Sequence, residues 1–308
     1  MTDHGTKPRW RGIWYSHGLN RRWIMRAIGW SCNHLPSWFV YGTAPMWSEL
    51  FRSYARKEQR ALRANHRIMF PHAGNAYINR LNHEAFSKYA TIIIDRFRAL
   101  AMPPERARAT FVGQLTGVER VDQALSHGHG VIMIAAHLGA FELGGLLFSR
   151  LDHPLVMVAQ SEDDPGLQLI RQTQRQQSGA MEVISGQGPA TVLKLRRALL
   201  AGGITALLGD RAFDANTVRV RLFGKEVTFP AGPFLLALLS QAPLLPTFFV
   251  AQRGGKYLGA LEEPFWVSPD LPRELAIRKA AQRWAVVLER YLQRYPSQWF
   301  NYYPFFIN

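Results

Sequence analysis

Short apolar runs alternate with amphipathic stretches over the second half of the chain, beginning near residue 118. Each run has the length of a buried strand, and the stretches between the runs carry apolar residues at helical spacing. The predicted strands are 131–136, 155–160, 181–185, 204–208 and 244–250, and the predicted helices lie near 141–151, 165–178, 189–201 and 232–241. Alternation of this kind predicts an α/β fold, with a mostly parallel mixed sheet flanked by helices.

Helical patterning dominates the segments on either side of these runs. Helices are predicted over 45–70 and 83–101, because apolar residues recur there at intervals of three and four. A long final helix is predicted over 272–294. Residues 217–229, between strand and helix signals, read as a hairpin or extended loop around Gly224. We find no internal repeat, low-complexity tract or linker.

Residues 27–47 contain no formally charged side chain and are about as long as a membrane span. Their prolines and polar residues make a lipid-spanning helix unfavourable. An arginine cluster precedes aromatic residues that interleave with these positions, namely Arg21, Arg22 and Arg26, then Trp30, Trp38, Phe39, Tyr41 and Trp47. Such a pattern is typical of a membrane interface. Two interpretations stay open: attachment to an anionic membrane surface, or a helical pair packed on the core.

The chain carries a formal net charge of +15, and the excess of basic residues is concentrated in residues 1–70. Such a surface suits nucleic acid, anionic lipid headgroups or an acidic protein partner. The single cysteine, Cys32, excludes an intramolecular disulfide and a thiolate zinc site, which indicates a reducing compartment. We expect no signal peptide. We predict a helical, basic, membrane-interface segment over 1–84 and one α/β domain over 85–308.

Several catalytic templates are absent or weak in this sequence. No G-x-S-x-G nucleophile motif is present. The stretch SGQGPAT (185–191) lacks a third glycine and the Lys-Ser/Thr pair of a phosphate-binding loop, so it is a weak dinucleotide signal. The two histidines of HGHG (127–130) have no carboxylate or thiolate nearby to complete a metal site. We therefore expect neither a metal nor a cofactor.

The stretch VIMIAAHLGAFELGG (131–145) runs a predicted strand into His137, with Glu142 on a new helix. The two side chains can converge if His137 ends the strand, Glu142 lies in the first helical turn and Gly139 allows a tight turn. A carboxylate next to an imidazole fixes its tautomer and favours the imidazolium that forms when the ring takes a proton. Because no nucleophilic Ser or Cys is adjacent, the pair suits deprotonation of an external hydroxyl. A structural pair that only satisfies itself is the alternative.

The H-x4-E motif of His137 and Glu142 is one of six segments whose order along the chain matches that of a known family. The segments are GVERVDQALSHGHGVIMIAAHLGAFELGG (117–145), FSKYATIIIDRFRAL (86–100), RQQSGAMEVI (175–184), GGITALLGDR (202–211), RLFGKEVTFPAGPFLLALLSQAPLLPTFFV (221–250) and YPSQWFNYYPFF (295–306). Together they resemble the lysophospholipid acyltransferase superfamily, and within it the bacterial lipid A biosynthesis lauroyl/myristoyl acyltransferase branch.

The resemblance implies an acyltransferase on the cytoplasmic face of a bacterial inner membrane. Such an enzyme would move a fatty acyl group from a thioester to a hydroxyl of a lipid or glycolipid; acyl carrier protein is the preferred donor, and acyl coenzyme A is the alternative. His137 would be the general base, Glu142 would orient it, and no covalent intermediate would form. The alternative is a non-catalytic basic protein that binds anionic membrane or nucleic acid. The sequence has no recognised nucleic-acid motif, so we expect no nucleic-acid partner.

Four further residues are candidates for substrate binding. Arg175 is a phosphate clamp by resemblance, or else a solvated helix charge. Asp210 ends an apolar strand, where open α/β sheets place ligand groups, although a helix cap is the alternative. Arg211 suits a phosphate or phosphopantetheine group, or a surface ion pair. Gly232, in the segment FPAGPF (229–234), belongs either to substrate-lining backbone or to a simple turn.

Overall fold

The computed structural model describes residues 22–148, 154–160, 164–177, 181–184, 189–212 and 215–306, and within them the chain forms eleven α-helices, nine β-strands and one 3-10 turn. The helices are α1 (Arg22–His34), α2 (Ser37–Tyr54), α3 (Arg56–Met69), α4 (Asn75–Leu100), α5 (Pro104–Phe111), α6 (Glu119–Leu125), α7 (Phe141–Phe148), α8 (Pro165–Gln177), α9 (Pro189–Leu200), α10 (Gly232–Ser240) and α11 (Arg273–Arg294). The strands are β1 (Val112–Thr116), β2 (Val131–Ala135), β3 (Leu155–Ala159), β4 (Met181–Ile184), β5 (Ile204–Leu208), β6 (Thr217–Leu222), β7 (Lys225–Pro230), β8 (Leu244–Ala251) and β9 (Tyr257–Leu261), and the 3-10 turn is Pro296–Gln298.

Seven strands form one sheet in the order β1-β9-β8-β2-β5-β3-β4. The five strands from β8 to β4 run parallel to one another, whereas β9 is antiparallel to β8 and β1 is parallel to β9. The predicted mostly parallel mixed sheet is confirmed. All five strands predicted from apolar runs are present, and the central strand β2 is buried because helices cover both faces of the sheet. The two strands that sequence patterning missed, β1 and β9, are each interrupted by a glycine.

The predicted hairpin over 217–229 is also confirmed. β6 and β7 pair in antiparallel register, and the two-residue turn at Phe223 and Gly224 has positive φ at both positions, as a tight hairpin requires. The hairpin packs on α11, where the side-chain amide of Gln282 bonds both backbone polar groups of Arg221. The largest core cluster lies between this hairpin, α11 and the sheet. Trp284, fully buried there, donates its indole N–H to the carbonyl of Gly209 at 3.0 Å.

The expected helix over 45–70 is two helices, α2 and α3, with a break at Ala55. Gln59 stabilises the break, because its side chain donates to the carbonyl of Arg52 and accepts a hydrogen bond from the guanidinium of the same residue. The expected helix over 83–101 begins earlier, at Asn75. This long helix, α4, passes through residues 84 and 85, so the predicted division between a helical segment and an α/β domain falls inside one continuous helix.

The uncharged segment 27–47 is divided between α1 and α2, with Pro36 at the start of α2. None of the helices in the described part of the chain is both long and apolar enough to cross a bilayer. Three tryptophans of the segment project into solvent: Trp30, Trp38 and Trp47 are 58%, 76% and 59% exposed. Tyr41 instead points inward, where its hydroxyl donates to the buried carboxylate of Asp95 on α4.

Candidate functional site

His137 and Asp210 are brought together by the register of two neighbouring parallel strands. β2 and β5 pair so that their last residues, Ala135 and Leu208, lie opposite each other. Each candidate side chain comes two residues beyond that pair, at the carboxyl edge of the sheet, where open α/β folds bind ligands. Gly209 continues the pairing by donating its N–H to the carbonyl of Ala135 at 2.8 Å. The strand ends therefore place imidazole and carboxylate face to face.

The carboxylate of Asp210 fixes the imidazole of His137 through a hydrogen bond. Nδ1 of His137 lies 2.7 Å from Oδ1 of Asp210, and the backbone N–H of His137 donates to Oδ2 at 3.1 Å. A carboxylate oxygen only accepts, so Nδ1 carries the proton and Nε2 of the neutral ring keeps its lone pair. His137 is slightly accessible, with 15% of its side chain exposed, whereas Asp210 is fully buried. This is the arrangement of a general base with an orienting carboxylate.

The pKa shifts of the pair favour an ionised carboxylate beside a neutral imidazole. Burial by itself would raise the pKa of Asp210, but His137, Arg211 and the indole of Trp299 stabilise the charged form and lower that pKa to about 2. Burial lowers the pKa of His137, and the positive charge of Arg211 lowers it further, against an opposing effect of Asp210. At neutral pH the imidazole is therefore free to accept a proton.

The C-terminal segment that follows the 3-10 turn completes the frame around Asp210. Trp299 donates its indole N–H to Oδ2 of Asp210 at 3.1 Å, and the amide of Asn301 lies 3.5 Å from the same oxygen. Phe300 donates its backbone N–H to the carbonyl of His137 at 3.0 Å. This segment is the YPSQWFNYYPFF motif (295–306), for which the sequence alone predicts no role. Its contacts hold His137 and Asp210 in place, and Trp299 pairs with Leu138 in an isolated β-bridge.

Glu142 does not orient His137, which corrects the expectation from the H-x4-E spacing. Glu142 lies in the first turn of α7, as predicted, but its carboxylate forms ion pairs with the guanidinium groups of Arg96 on α4 and Arg171 on α8, the latter at 3.0 Å. From the start of α7, the ring of Phe141 packs against the imidazole of His137, at 5.2 Å between centroids.

The geometry of the loop explains why the two predicted partners are separated. Gly139 has φ +65°, so the tight turn expected there is confirmed, and a Cβ atom at this position would come within 2.3 Å of the carbonyl of Phe249. The turn is fixed on both sides, because Gly139 donates to the carbonyl of Gln298 and Ala140 donates to that of Phe249. The turn thus directs α7 along β8, and Glu142 faces α4 and α8.

The remaining candidates lie at different distances from this centre. Arg211 is held by the C-terminal segment, since its Nη2 donates to the carbonyl of Phe300 at 2.8 Å and its guanidinium lies over the ring of Tyr303. Gly232 is the exposed first residue of α10. Arg175 belongs to α8, one turn after Arg171, but its side chain lies outside the described part of the structure.

Arg96 and Arg171 are residues that sequence reasoning missed. Both were visible as arginines on predicted helices, but a helical pattern alone does not show which neighbouring element an arginine will meet. The buried guanidinium of Arg96 also donates to Gln174, so three helices, α4, α7 and α8, meet at this ion pair. The histidines of HGHG (127–130) do not belong to a metal site in the part of the chain that the structure describes. The ring of His127 packs on Trp266 instead.

Comparison with known proteins adds a family and two relatives. The family model described as bacterial lipid A biosynthesis acyltransferase matches residues 15–306, which is most of the chain. Two curated relatives are phosphatidylinositol mannoside acyltransferases from Mycobacterium tuberculosis, from strains ATCC 25618 / H37Rv and CDC 1551 / Oshkosh. They are 28% identical over 135 residues and 27% identical over 134 residues. In both cases the match covers 42% of this chain and 42% of the relative.

Proposed function

Since the chain belongs to the bacterial lipid A biosynthesis acyltransferase family, as its sequence motifs indicated, we propose that it transfers a fatty acyl group from a thioester to a hydroxyl of a lipid or glycolipid acceptor. The observation that carries this proposal is the hydrogen bond between Nδ1 of His137 and Asp210, which leaves Nε2 as a base at the carboxyl edge of the sheet. Neither a metal nor a covalent acyl-enzyme is needed for the reaction.

The proposed chemistry has one proton transfer in each direction. Nε2 of His137 takes the proton of the acceptor hydroxyl as its oxygen attacks the thioester carbonyl, and the imidazolium is stabilised by the charge of Asp210. The tetrahedral intermediate then collapses with cleavage of the carbon–sulfur bond. His137 returns the proton to the departing thiolate, so the products are an ester and a free thiol. Asp210 is in this scheme a positioning residue, although its place at the strand end was first assigned to substrate binding.

Glu142 contributes, in our proposal, through the arginines that it holds. Two guanidinium groups face one carboxylate, so the trio of Arg96, Glu142 and Arg171 carries a net positive charge. Fixed cations beside a reaction centre stabilise negative charge that develops in the transition state or is carried by a substrate phosphate. Arg175 and Arg211 would add to this field, and the exposed turn at Gly232 would border the acceptor. The roles of Arg175, Arg211 and Gly232 remain predictions.

A sugar-bearing lipid is the acceptor class that the comparisons favour. The two relatives carry the name phosphatidylinositol mannoside acyltransferase, and a mannoside offers hydroxyls of the kind that a histidine base can activate. For the donor, we propose acyl carrier protein over coenzyme A. Carrier proteins are acidic, and a chain with net charge +15 attracts an acidic partner over long range.

Peripheral attachment to an anionic membrane is proposed for the surface formed by α1 and α2. Trp30, Trp38 and Trp47 project from these helices into solvent, and the exposed Arg22 and Arg26 lie on α1; Arg21 lies outside the described residues. Tryptophan rings beside basic side chains are typical of the lipid headgroup region. We place this surface on the cytoplasmic face of the inner membrane, where the proposed donor and acceptor meet.

Vesicle sedimentation tests the attachment surface. The variant Trp38→Ser/Trp47→Ser should bind phosphatidylglycerol-containing vesicles about tenfold more weakly, because each exposed ring supplies apolar area that lipid would bury. The matched control is Trp266→Ser/Leu239→Ser, which removes two exposed apolar side chains elsewhere. An equal loss in both double variants would show that α1 and α2 are not the attachment surface.

The reaction itself is tested with the purified full chain, a fatty acyl thioester and a glycolipid fraction from a bacterial membrane. We expect free thiol to appear together with a lipid whose mass has risen by one acyl group. Thioester hydrolysis without an acylated lipid would contradict the assignment to acyl transfer. If the chain binds vesicles but turns over no thioester with any acceptor tested, the alternative of a non-catalytic basic protein that binds anionic membrane is favoured instead.

A further inference from the structure

A polar cavity is lined by residues of α4, the end of α11 and the 3-10 turn. It has a volume of about 320 Å³ and opens between the first half of α4 and the end of α11, with the 3-10 turn as its floor. Its lining residues include none of those placed around His137. Cavities that bind small ligands begin at about 300 Å³, so the space accommodates a phosphate together with a small organic group.

The charges that line the cavity are unbalanced. Arg80, Lys88 and Arg294 contribute three cations, and Glu84 is the one carboxylate among the lining residues. Arg80 and Lys88 approach Glu84 only to 3.9 and 3.6 Å, whereas a charge-assisted hydrogen bond is about 2.7–2.9 Å long. Among the described residues, Arg294 contacts the ring of Tyr295 and forms no ion pair with a carboxylate. The walls of the cavity thus offer more positive charge than the protein itself neutralises.

Aromatic rings hold the two arginines on opposite walls. The guanidinium of Arg80 lies over the ring of Tyr77 at 5.2 Å, and that of Arg294 lies over Tyr295 at 5.4 Å. Stacking of this kind limits the rotamers of a long side chain before a ligand arrives. Between them, Nζ of Lys88 donates to the buried hydroxyl of Ser297 at 2.8 Å, which fixes the lysine at the floor.

We propose that this cavity is a binding site for a phosphate group, either on a small soluble molecule or on a lipid headgroup. Two guanidinium forks on facing walls suit the several oxygens of a phosphate, and the lysine supplies a third charge at the base. The site is separate from the proposed acyl transfer, and it stands or falls independently of that function.

Calorimetric titration of the full chain with inorganic phosphate and with glucose 1-phosphate tests the site. In Arg80→Gln/Arg294→Gln, binding should be at least about tenfold weaker, because two hydrogen bonds to a charged ligand are lost. Both side chains are exposed, so the variant should keep its fold, which thermal unfolding checks. The matched control is Arg278→Gln/Lys279→Gln, which removes the same charge from α11 about 22–24 Å along the helix.

A second arm separates the two sources of phosphate. Vesicles of phosphatidylcholine are compared with and without phosphatidic acid. The site is assigned to a soluble ligand if the wild type binds soluble phosphate and only Arg80→Gln/Arg294→Gln, not the control variant, loses that binding. If soluble probes do not bind, but the phosphatidic acid-dependent part of vesicle binding is lost in that variant alone, the ligand is a lipid headgroup. Equal effects of the two double variants, or none with either probe, would overturn the proposal.

Discussion

Replacement of Asp210 by asparagine tests whether the carboxylate orients the imidazole of His137, because it leaves the other residues of the site in place. The substitution keeps the shape of a fully buried side chain but removes its charge and places an amide opposite Nδ1 of His137. An amide N–H at that position favours the tautomer with the proton on Nε2, so the ring loses its base. We expect kcat to fall by about 10²–10⁴, the range for loss of a general base or its orienting carboxylate.

The same substitution should lower stability by a calculable amount. The pKa of Asp210 falls from 3.8 to about 2 on folding, which corresponds to about 2 kcal/mol at neutral pH. This stabilisation is present above about pH 4 and is lost as the pH falls toward 2, because the carboxylate is then protonated. Urea denaturation of Asp210→Asn at pH 7 should therefore show about 2 kcal/mol less stability than the wild type.

Enzyme kinetics over a pH series distinguish positioning from a purely structural role. In the wild type, kcat/KM should rise with pH through a pKa below 6.5, since burial and Arg211 lower the pKa of His137. Asp210 opposes that lowering, so its replacement should move the acid limb to still lower pH. The matched control, Asp270→Asn at an exposed position, should change neither quantity. A normal kcat in Asp210→Asn would refute the assignment of Asp210 as the orienting carboxylate.

The ion pair of Glu142, the net charge of the chain and the buried His66 each give one further prediction. Glu142→Gln and Arg96→Met should each destabilise the chain by about 1–3 kcal/mol, because each breaks the ion pair between Arg96 and Glu142. A double-mutant cycle in urea should give a coupling free energy of similar size, and additive effects would show that this ion pair does not contribute to stability. Turnover with an acyl carrier protein thioester should fall more steeply with salt than turnover with the coenzyme A thioester, and equal slopes in kcat/KM would contradict steering by charge. Burial lowers the pKa of His66 to about 4, so up to about 3 kcal/mol of stability should be lost as the pH falls from 6.5 to 4. The free energy of unfolding of His66→Gln should depend less on pH over that range, and the same pH dependence in variant and wild type would exclude His66 as the cause.

The pattern of apolar residues predicted the strands that hold the site, but it did not predict which side chains would contact one another there. The apolar runs of β2 and β5 predicted both strands, and the strand-end position of Asp210 marked it as a functional candidate. Its pairing with His137 depends on β2 and β5 being neighbours in register, which is a property of the sheet order and has no signature in local sequence.

The spacing between His137 and Glu142 suggested an interaction because both lie on one short loop. The positive φ of Gly139 turns that loop along β8, and the partners of Glu142 come from α4 and α8, 46 and 29 residues away in the chain. The break between α2 and α3 was missed for a related reason. It is stabilised by the side chain of Gln59, and neither a proline nor a glycine marks it in the sequence.

Acyl transfer by His137→Ala is the measurement that bears most directly on the central claim, that His137 and Asp210 form the base of an acyltransferase. The assay follows thiol release and acylated lipid from a fatty acyl thioester, with His72→Ala as the control because His72 is an exposed histidine in the turn between α3 and α4. We expect His137→Ala to remain folded and to lose about 10²–10⁴ of kcat, while His72→Ala retains wild-type turnover. Near-normal acyl transfer by a folded His137→Ala variant would contradict the account.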